Sequence, residues 1–175
     1  MKLAPAMLAA LAGLSLALSA CDEPKPRGEA PAELAPGPGA ARTSEPLPPL
    51  PAWAPEVMGK GLREAFTETG ECVGNTDAVG ARYEGAQPGV KIIGWGWDKA
   101  EKTAVERIVL VDADFRIVGA GETGLPRPDV TRAQPDITSP TTGWQAFTSR
   151  TAGPLDAYGV TSGGRGVCPL GHIEF

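Results

Sequence analysis

This chain of 175 residues has little of the chemistry on which most metal sites and catalytic sites depend. It contains one histidine and three cysteines, so a multi-histidine metal site and a set of Cys-x-x-Cys pairs are both excluded. The 16 basic residues are scattered and the formal net charge is −5, which argues against a nucleic-acid-binding surface. Beyond residue 18 no apolar run is long enough to span a bilayer. We find no cofactor-binding motif, no metal-ligand set and no internal repeat.

The first 20 residues have the layout of a bacterial secretory signal. Lys2 supplies a positive charge, and residues 3–18 are rich in leucine and alanine. The run Leu18-Ser19-Ala20-Cys21 resembles the lipobox of bacterial lipoproteins. This resemblance implies cleavage before Cys21, diacylglycerol on the Cys21 sulfur and a further acyl chain, such as palmitate, on its amino group. Two or more chains anchor a protein stably, because each buried methylene contributes about 0.8 kcal/mol. The alternative is an ordinary signal peptide followed by a chance cysteine.

The implied compartment is the bacterial cell envelope, with the chain facing the periplasm or the cell surface. Asp22 follows the cysteine, and in enterobacterial lipoproteins an aspartate there implies retention in the inner membrane; the outer membrane stays open. Ten of the 18 prolines lie in residues 21–56. Proline removes backbone donors and the segment has little to bury, so it predicts a disordered, semi-extended tether. The alternative for residues 46–51 is a ligand for a proline-recognising domain.

Residues 57–175 are long enough for one small domain, and two of the three cysteines fall within it. Cys72 and Cys168 form an even pair in an exported chain, which predicts a disulfide between the two ends of the domain. In the chain-entropy model, closing a loop of nearly 100 residues stabilises a protein by about 4–5 kcal/mol. The alternative is metal or redox chemistry, for which His172 is the only nearby ligand.

The apolar pattern of this domain is mainly that of β-strands. It predicts strands at residues 90–97, 105–112, 115–119, 155–161 and 166–170, with weaker edge strands at 73–74 and 78–83. The polar break at 113–114 predicts a hairpin. Pro128 and Asp129 predict the start of a short helix, and a second helix is expected within 57–66. The expected fold is mainly β: a small antiparallel β-sandwich or open barrel with one or two short helices.

Four short motifs occur in one order along the domain. They are Gly94-Trp95-Gly96-Trp97-Asp98, Ile117-Val118-Gly119, Arg127-Pro128-Asp129-Val130 and Gly143-Trp144. Their order and spacing resemble a small β-sandwich module of bacterial envelope and glycosyltransferase-associated proteins. The resemblance covers roughly residues 88–161. It implies an architecture and no set of catalytic residues.

The candidate binding residues are three tryptophans and one arginine. Trp95 and Trp97 project from the same face of a strand, because they are two residues apart. Together with Trp144 they could stack on sugar rings or on side chains of a protein partner, since indole faces favour both; the alternative is packing in the core. Arg127 could bind a carboxylate or a phosphate. Its alternative is an ion pair with Asp129 at the start of the short helix.

Two further groups carry weaker signals. The run Asp112-Ala113-Asp114 could begin a calcium loop, but it lacks the further ligands, so a solvated hairpin turn is preferred. His172 lies close to Glu174, and Ser162 is ten residues away, yet nothing marks that serine as an activated nucleophile.

The expected function follows from these features. We expect a lipid-anchored envelope protein whose β domain binds or organises a protein or glycan partner without catalysis. The alternative is an envelope hydrolase that acts on glycan or peptide. Exposed tryptophans in a groove would favour a glycan, whereas buried ones would favour a scaffold whose loops bind protein.

Overall fold

The structure of the protein, a computed structural model, describes residues 39–175. The signal segment, Cys21 and the first part of the expected tether lie outside these residues. Within them the chain forms ten strands and two short α-helices, which confirms the predicted mainly β fold. No helix in this part of the chain is long and apolar enough to cross a membrane.

Most strands lie where the sequence pattern predicts them. Their bounds are β1 (Ala41–Thr43), β2 (Glu68–Thr69), β3 (Cys72–Tyr83), β4 (Gly89–Asp98), β5 (Thr103–Ala104), β6 (Arg107–Val111), β7 (Ile117–Leu125), β8 (Gly143–Thr148), β9 (Leu155–Val160) and β10 (Gly166–Ile173). The two weak edge strands are parts of β3, whereas β1, β2, β5 and β8 were not predicted. The helices are α1 (Leu62–Ala65) and α2 (Pro128–Ala133), with a 3-10 turn at Ala54–Glu56. The helix expected within 57–66 is therefore a single turn.

All ten strands belong to one open sheet, so the fold is nearer to the expected open barrel than to the expected β-sandwich. The strand order is β1-β3-β4-β8-β7-β6-β9-β10-β2, and β5 pairs with β4. The central pairs are antiparallel, and short connections join β3 to β4 and β6 to β7. The two outermost strands are the exceptions: β1 is parallel to β3, and β2 is parallel to β10.

The sheet curls until β3 and β10 meet, although no ladder of hydrogen bonds joins these two strands. The predicted disulfide between Cys72 of β3 and Cys168 of β10 is present, with a Cα–Cα distance of 5.6 Å. Glycines make room for this contact. A Cβ atom on Gly74 would lie 2.6 Å from the Leu170 side chain, and one on Gly171 would lie 2.9 Å from the Thr76 backbone nitrogen.

Both faces of the sheet carry apolar side chains. In β6, Ile108 and Leu110 point into the main core inside the curl, whereas Val109 and Val111 point outward, and all four are fully buried. This alternation follows the period of two residues in a strand. The outer face therefore needs a cover, and for β6 it is supplied by Leu62 and Phe66, in and just after α1.

Residues 41–69, here called the N-terminal strap, cross the outer face from one sheet edge to the other. Ala41 pairs with Ala81 in β3, and the Leu47 N–H donates to the Gln87 carbonyl at 2.8 Å. Farther on, Pro49 and Pro51 line a shallow groove with Phe147 of β8. After α1, Glu68 pairs beside Gly166 of β10.

The strap corrects the expected tether through residue 56, because residues 41–56 belong to the folded unit. An extended proline-rich segment can lie across several strands, since it has few backbone donors that need a sheet partner. In the structure residues 46–51 lie along their own sheet. A proline-recognising domain would need this polyproline stretch to be free, so the interpretation of the segment as a ligand for such a domain loses its basis.

We expect the disulfide to carry a large part of the stability of the domain. The double variant Cys72→Ala/Cys168→Ala should lose about 4–5 kcal/mol of unfolding free energy, because the unfolded chain is no longer cross-linked. Denaturant unfolding measures this change. Reductant should bring the natural protein to the midpoint of the double variant and leave the double variant unchanged. Labelling of both thiols in native, unreduced protein would contradict the prediction.

Candidate functional site

Trp95 and Trp97 lie on the outer face of β4, on the same side of the strand as predicted. Trp97 is 4% exposed, and it packs against Val130 of α2 and Ile137 beyond it. Trp95 is half-buried at the margin of the same cluster. The pair thus holds α2 and the following loop on the sheet, which corresponds to the packing alternative.

Trp144 faces the inside of the curl and is fully buried. It stands opposite Gly94 in the β4–β8 register, and a Cβ atom on Gly94 would lie 2.4 Å from the indole ring. The absence of a side chain at Gly94 therefore leaves the space that the Trp144 ring fills. Because Trp144 lies on the opposite face of the sheet from Trp95 and Trp97, the three predicted tryptophans do not form one surface.

Arg127 is the centre of an ion-pair cluster on the outer face. Its Nε and Nη2 atoms donate to the two carboxylate oxygens of Asp129, at 2.9 and 2.7 Å, and its Nη1 donates to Asp77 at 2.5 Å. The Asn75 amide donates to the other Asp77 oxygen at 2.7 Å. A Cβ atom on Gly143 of β8 would lie 2.7 Å from Arg127 Cγ, so the arginine crosses β4 from β8 to reach β3.

The electrostatics of this cluster favour a structural role. The hydrogen bond to Arg127 lowers the pKa of Asp129 to about 2, and the bond to Asp129 is the main cause that raises the pKa of Arg127. Two carboxylates surround one guanidinium, so the cluster carries a net negative charge at neutral pH. An anionic ligand would have to displace Asp129 or Asp77. The expected ion pair of Arg127 with Asp129 is present, and Asp77 completes it.

His172 and Asp112, the other two weak candidates, are also bonded within the protein. The ring nitrogens of His172 lie 2.7 Å from Asp156 and 3.2 Å from Glu174, and the bond to Asp156 is the larger cause that raises its pKa. With both nitrogens facing carboxylates, the ring has none turned to a serine.

Asp112 fixes the hairpin turn between β6 and β7. One of its oxygens accepts the N–H groups of Asp114 and Arg116, both at 3.1 Å, and the other accepts from Arg150 at 2.9 Å. These donors use the positions that a calcium ion would need. Among residues 39–175 no group of three or more histidine, cysteine, aspartate or glutamate side chains is placed to hold a metal ion.

Two grooves that the sequence did not predict border α1. The first encloses about 260 Å³ between Trp53, Lys60, Glu64 and Arg107, with the Arg107 guanidinium carbon 5.2 Å from the centre of the Trp53 ring. Sequence reasoning placed Trp53 in the tether. A large aromatic residue is unusual in a disordered proline-rich segment, and that signal could have shown that this segment is folded.

The second groove, here called the Phe115 groove, also encloses about 260 Å³. It is lined by Leu62, Arg63, Thr69, Phe115, Tyr158, Val167 and Pro169. Phe115 is 54% exposed and has a φ of +56°, a backbone conformation that residues other than glycine rarely adopt. Local sequence predicts the turn but not the groove, because the other lining residues come from α1, β2, β9 and β10.

No protein-family profile, curated protein or solved structure matches this chain. The resemblance to the β-sandwich module therefore stays an expectation that rests on the four short motifs.

The Arg127 cluster predicts a specific dependence of stability on pH. A carboxylate whose pKa is lowered by folding stabilises the native state above its unfolded pKa and loses that contribution as the pH falls through the folded value. For Asp129 the stabilisation should be complete above about pH 5 and disappear near pH 2, where the folded pKa lies. The Asp129→Asn variant should lack this part of the acid transition.

Thermal or urea unfolding of both proteins between these pH values measures the effect. The natural protein should exceed Asp129→Asn in unfolding free energy at neutral pH, and the two should converge in acid. Asp136→Asn, which changes an exposed aspartate, is the matched control. A constant difference across the whole pH range would show that the ion pair does not cause it.

Proposed function

We propose that this protein is a bacterial envelope lipoprotein, anchored through acylated Cys21, whose β domain binds a protein partner without catalysing a reaction. The proposal joins the lipobox-like run at Leu18-Ser19-Ala20-Cys21 to the properties of the folded domain.

The disulfide supports the export step. Cys168 is completely buried and is bonded to Cys72 where β10 meets β3. Disulfides of this kind persist in oxidising compartments, which for bacteria means the periplasm or the cell surface. An apolar leader that ends at a cysteine agrees with the same route.

The burial of the tryptophans carries the choice of a protein partner over a glycan. Trp97 and Trp144 are at most 4% exposed, so neither offers an indole face to a sugar ring. Trp95 is half-covered by the segment around α2, and Arg107 lies over the ring of Trp53. What the outer face presents instead are turns and grooves along the strap, and loops on a rigid scaffold disproportionately carry binding residues.

We expect acylation at Cys21 to determine where the protein partitions. With its natural leader, the protein should enter the detergent phase in a phase-separation assay, and its intact mass should show an amino terminus at Cys21 with acyl chains. Cys21→Ala should lack the acyl mass, whereas Cys72→Ala/Cys168→Ala should keep it. A chain that retains residues 1–20 and carries no acyl mass would overturn the lipoprotein assignment.

The class of partner can be tested separately. Cross-linking in intact cells should give discrete protein adducts, and mass spectrometry of those adducts should find polypeptide and no sugar. The protein should stay in the supernatant when it is mixed with purified, insoluble cell-wall glycan. Saturable sedimentation with the glycan, without protein adducts, would refute a protein partner and favour a glycan.

A further inference from the structure

The Phe115 groove combines an apolar floor with a polar margin. Leu62 of α1 and Val167 of β10 are at most 3% exposed and form the floor, while Pro169 and Phe115 stand above it. Its volume of about 260 Å³ lies just below the range of pockets that enclose a whole small molecule. The space suits one large side chain of an approaching surface.

Arg63 stands at the polar margin with much of its hydrogen-bonding capacity free. Its Nη1 donates to the Thr69 hydroxyl at 2.8 Å, and no carboxylate among residues 39–175 pairs with it. Burial and the charge of Asp156 raise the pKa of the Tyr158 phenol, and the positive charge of Arg63 opposes that rise. A guanidinium and a phenol therefore lie close together beside an apolar groove, a combination that suits a carboxylate next to an apolar side chain.

The chain itself carries that combination at the tip of the β6–β7 hairpin. Phe115 is one of two large apolar side chains that are strongly exposed within residues 39–175, and Asp114 beside it is exposed and pairs with no basic group there. The Phe115 carbonyl accepts the Leu62 N–H at 2.8 Å, so the tip is held rigidly at the edge of the groove. At a φ of +56° a glycine would fit with less strain, and the phenylalanine there keeps an apolar ring in solvent.

We propose that the Phe115 groove is the contact between two copies of this chain, related by a two-fold axis. Around such an axis each copy offers the same patch, so Phe115 of one copy enters the groove of the other and Asp114 of each copy meets Arg63 of its partner. The carboxylate and the guanidinium then form two equivalent ion pairs at the rim of a shared apolar contact. This inference rests on the proposed function and names a second copy as the protein partner.

Anchoring would make a small contact of this kind effective. Two lipoproteins held on one membrane surface meet at a much higher effective concentration than free molecules do, so a weak interface suffices. The exposed apolar ring gives the contact its attraction, and the two ion pairs set its orientation.

Sedimentation velocity of the purified acylated protein, in excess detergent and over a concentration series, tests the proposal. The natural protein should show a reversible dimer. Asp114→Arg and Arg63→Asp should each raise the dissociation constant at least tenfold, since each turns both ion pairs into repulsions. An equal mixture of these two variants should dimerise again, because the heterodimer restores both pairs. Two variants that dimerise normally, or a mixture that stays monomeric, would overturn the proposal.

Phe115→Gly separates a contact role from a structural one. It should weaken the dimer at least as much as the charge reversals while the melting temperature stays the same or rises, because glycine accepts the positive φ. Leu125→Ser, which alters the other exposed large apolar residue, is the matched control and should leave association unchanged. A lowered melting temperature with an intact dimer would assign Phe115 to the fold instead.

Failure of this inference is distinguishable from failure of the proposed function. An acylated protein that stays monomeric but gives adducts with other proteins would refute the two-fold contact and leave the envelope-lipoprotein proposal standing. A chain without acylation would refute the anchor, whatever its state of association.

Discussion

The covalent bond between β3 and β10 is the constraint on which the rest of this fold depends. These strands meet without a hydrogen-bonded ladder, so the Cys72–Cys168 disulfide and the close packing of Leu170 on Gly74 hold them together. With β3 and β10 joined, the curled sheet encloses a core in which Trp144 can be fully buried. A flatter sheet would expose that ring and the aliphatic side chains around it to water, at a cost of about 1.5–3 kcal/mol for each large side chain.

The curl of the sheet buries the apolar side chains of its inner face, but those of its outer face still need a cover. Strands that are apolar on both sides, such as β6, need a second layer, and this small domain has only two short helices with which to build one. The N-terminal strap supplies the rest, with proline-rich chain over the middle of the sheet and α1 over β6, β9 and β10. The segment around α2 covers β4 through Trp97, and the Arg127 ion pairs tie its start to β3. The surface grooves lie where these covers end.

Local patterns were enough to predict strands β3, β4, β6, β7, β9 and β10, the β6–β7 hairpin, the position of α2 and the pairing of Arg127 with Asp129. Each of these depends on residues that are neighbours in sequence. The features that were missed depend on distant partners. Asp77 joins Arg127 from 50 residues away. Proline content predicts an extended segment, but it does not say whether that segment lies in water or along a sheet. Spacing placed Trp95 and Trp97 on one face correctly, yet their burial depends on Val130 and Ile137, which a strand pattern does not reveal.

The Phe115 groove shows how a site can depend on all of these long-range contacts together. Its lining comes from the strap, the hairpin tip and the disulfide-bonded edge of the sheet, and the Leu62–Phe115 hydrogen bond joins the first two. Any molecule that binds there touches the strap as well as the sheet. Binding would therefore raise the ratio of docked to detached strap, by a factor that grows with the ligand concentration relative to the dissociation constant. In a chain anchored ahead of the strap, the segment that leads to the membrane and the surface that recognises a partner would be thermodynamically linked.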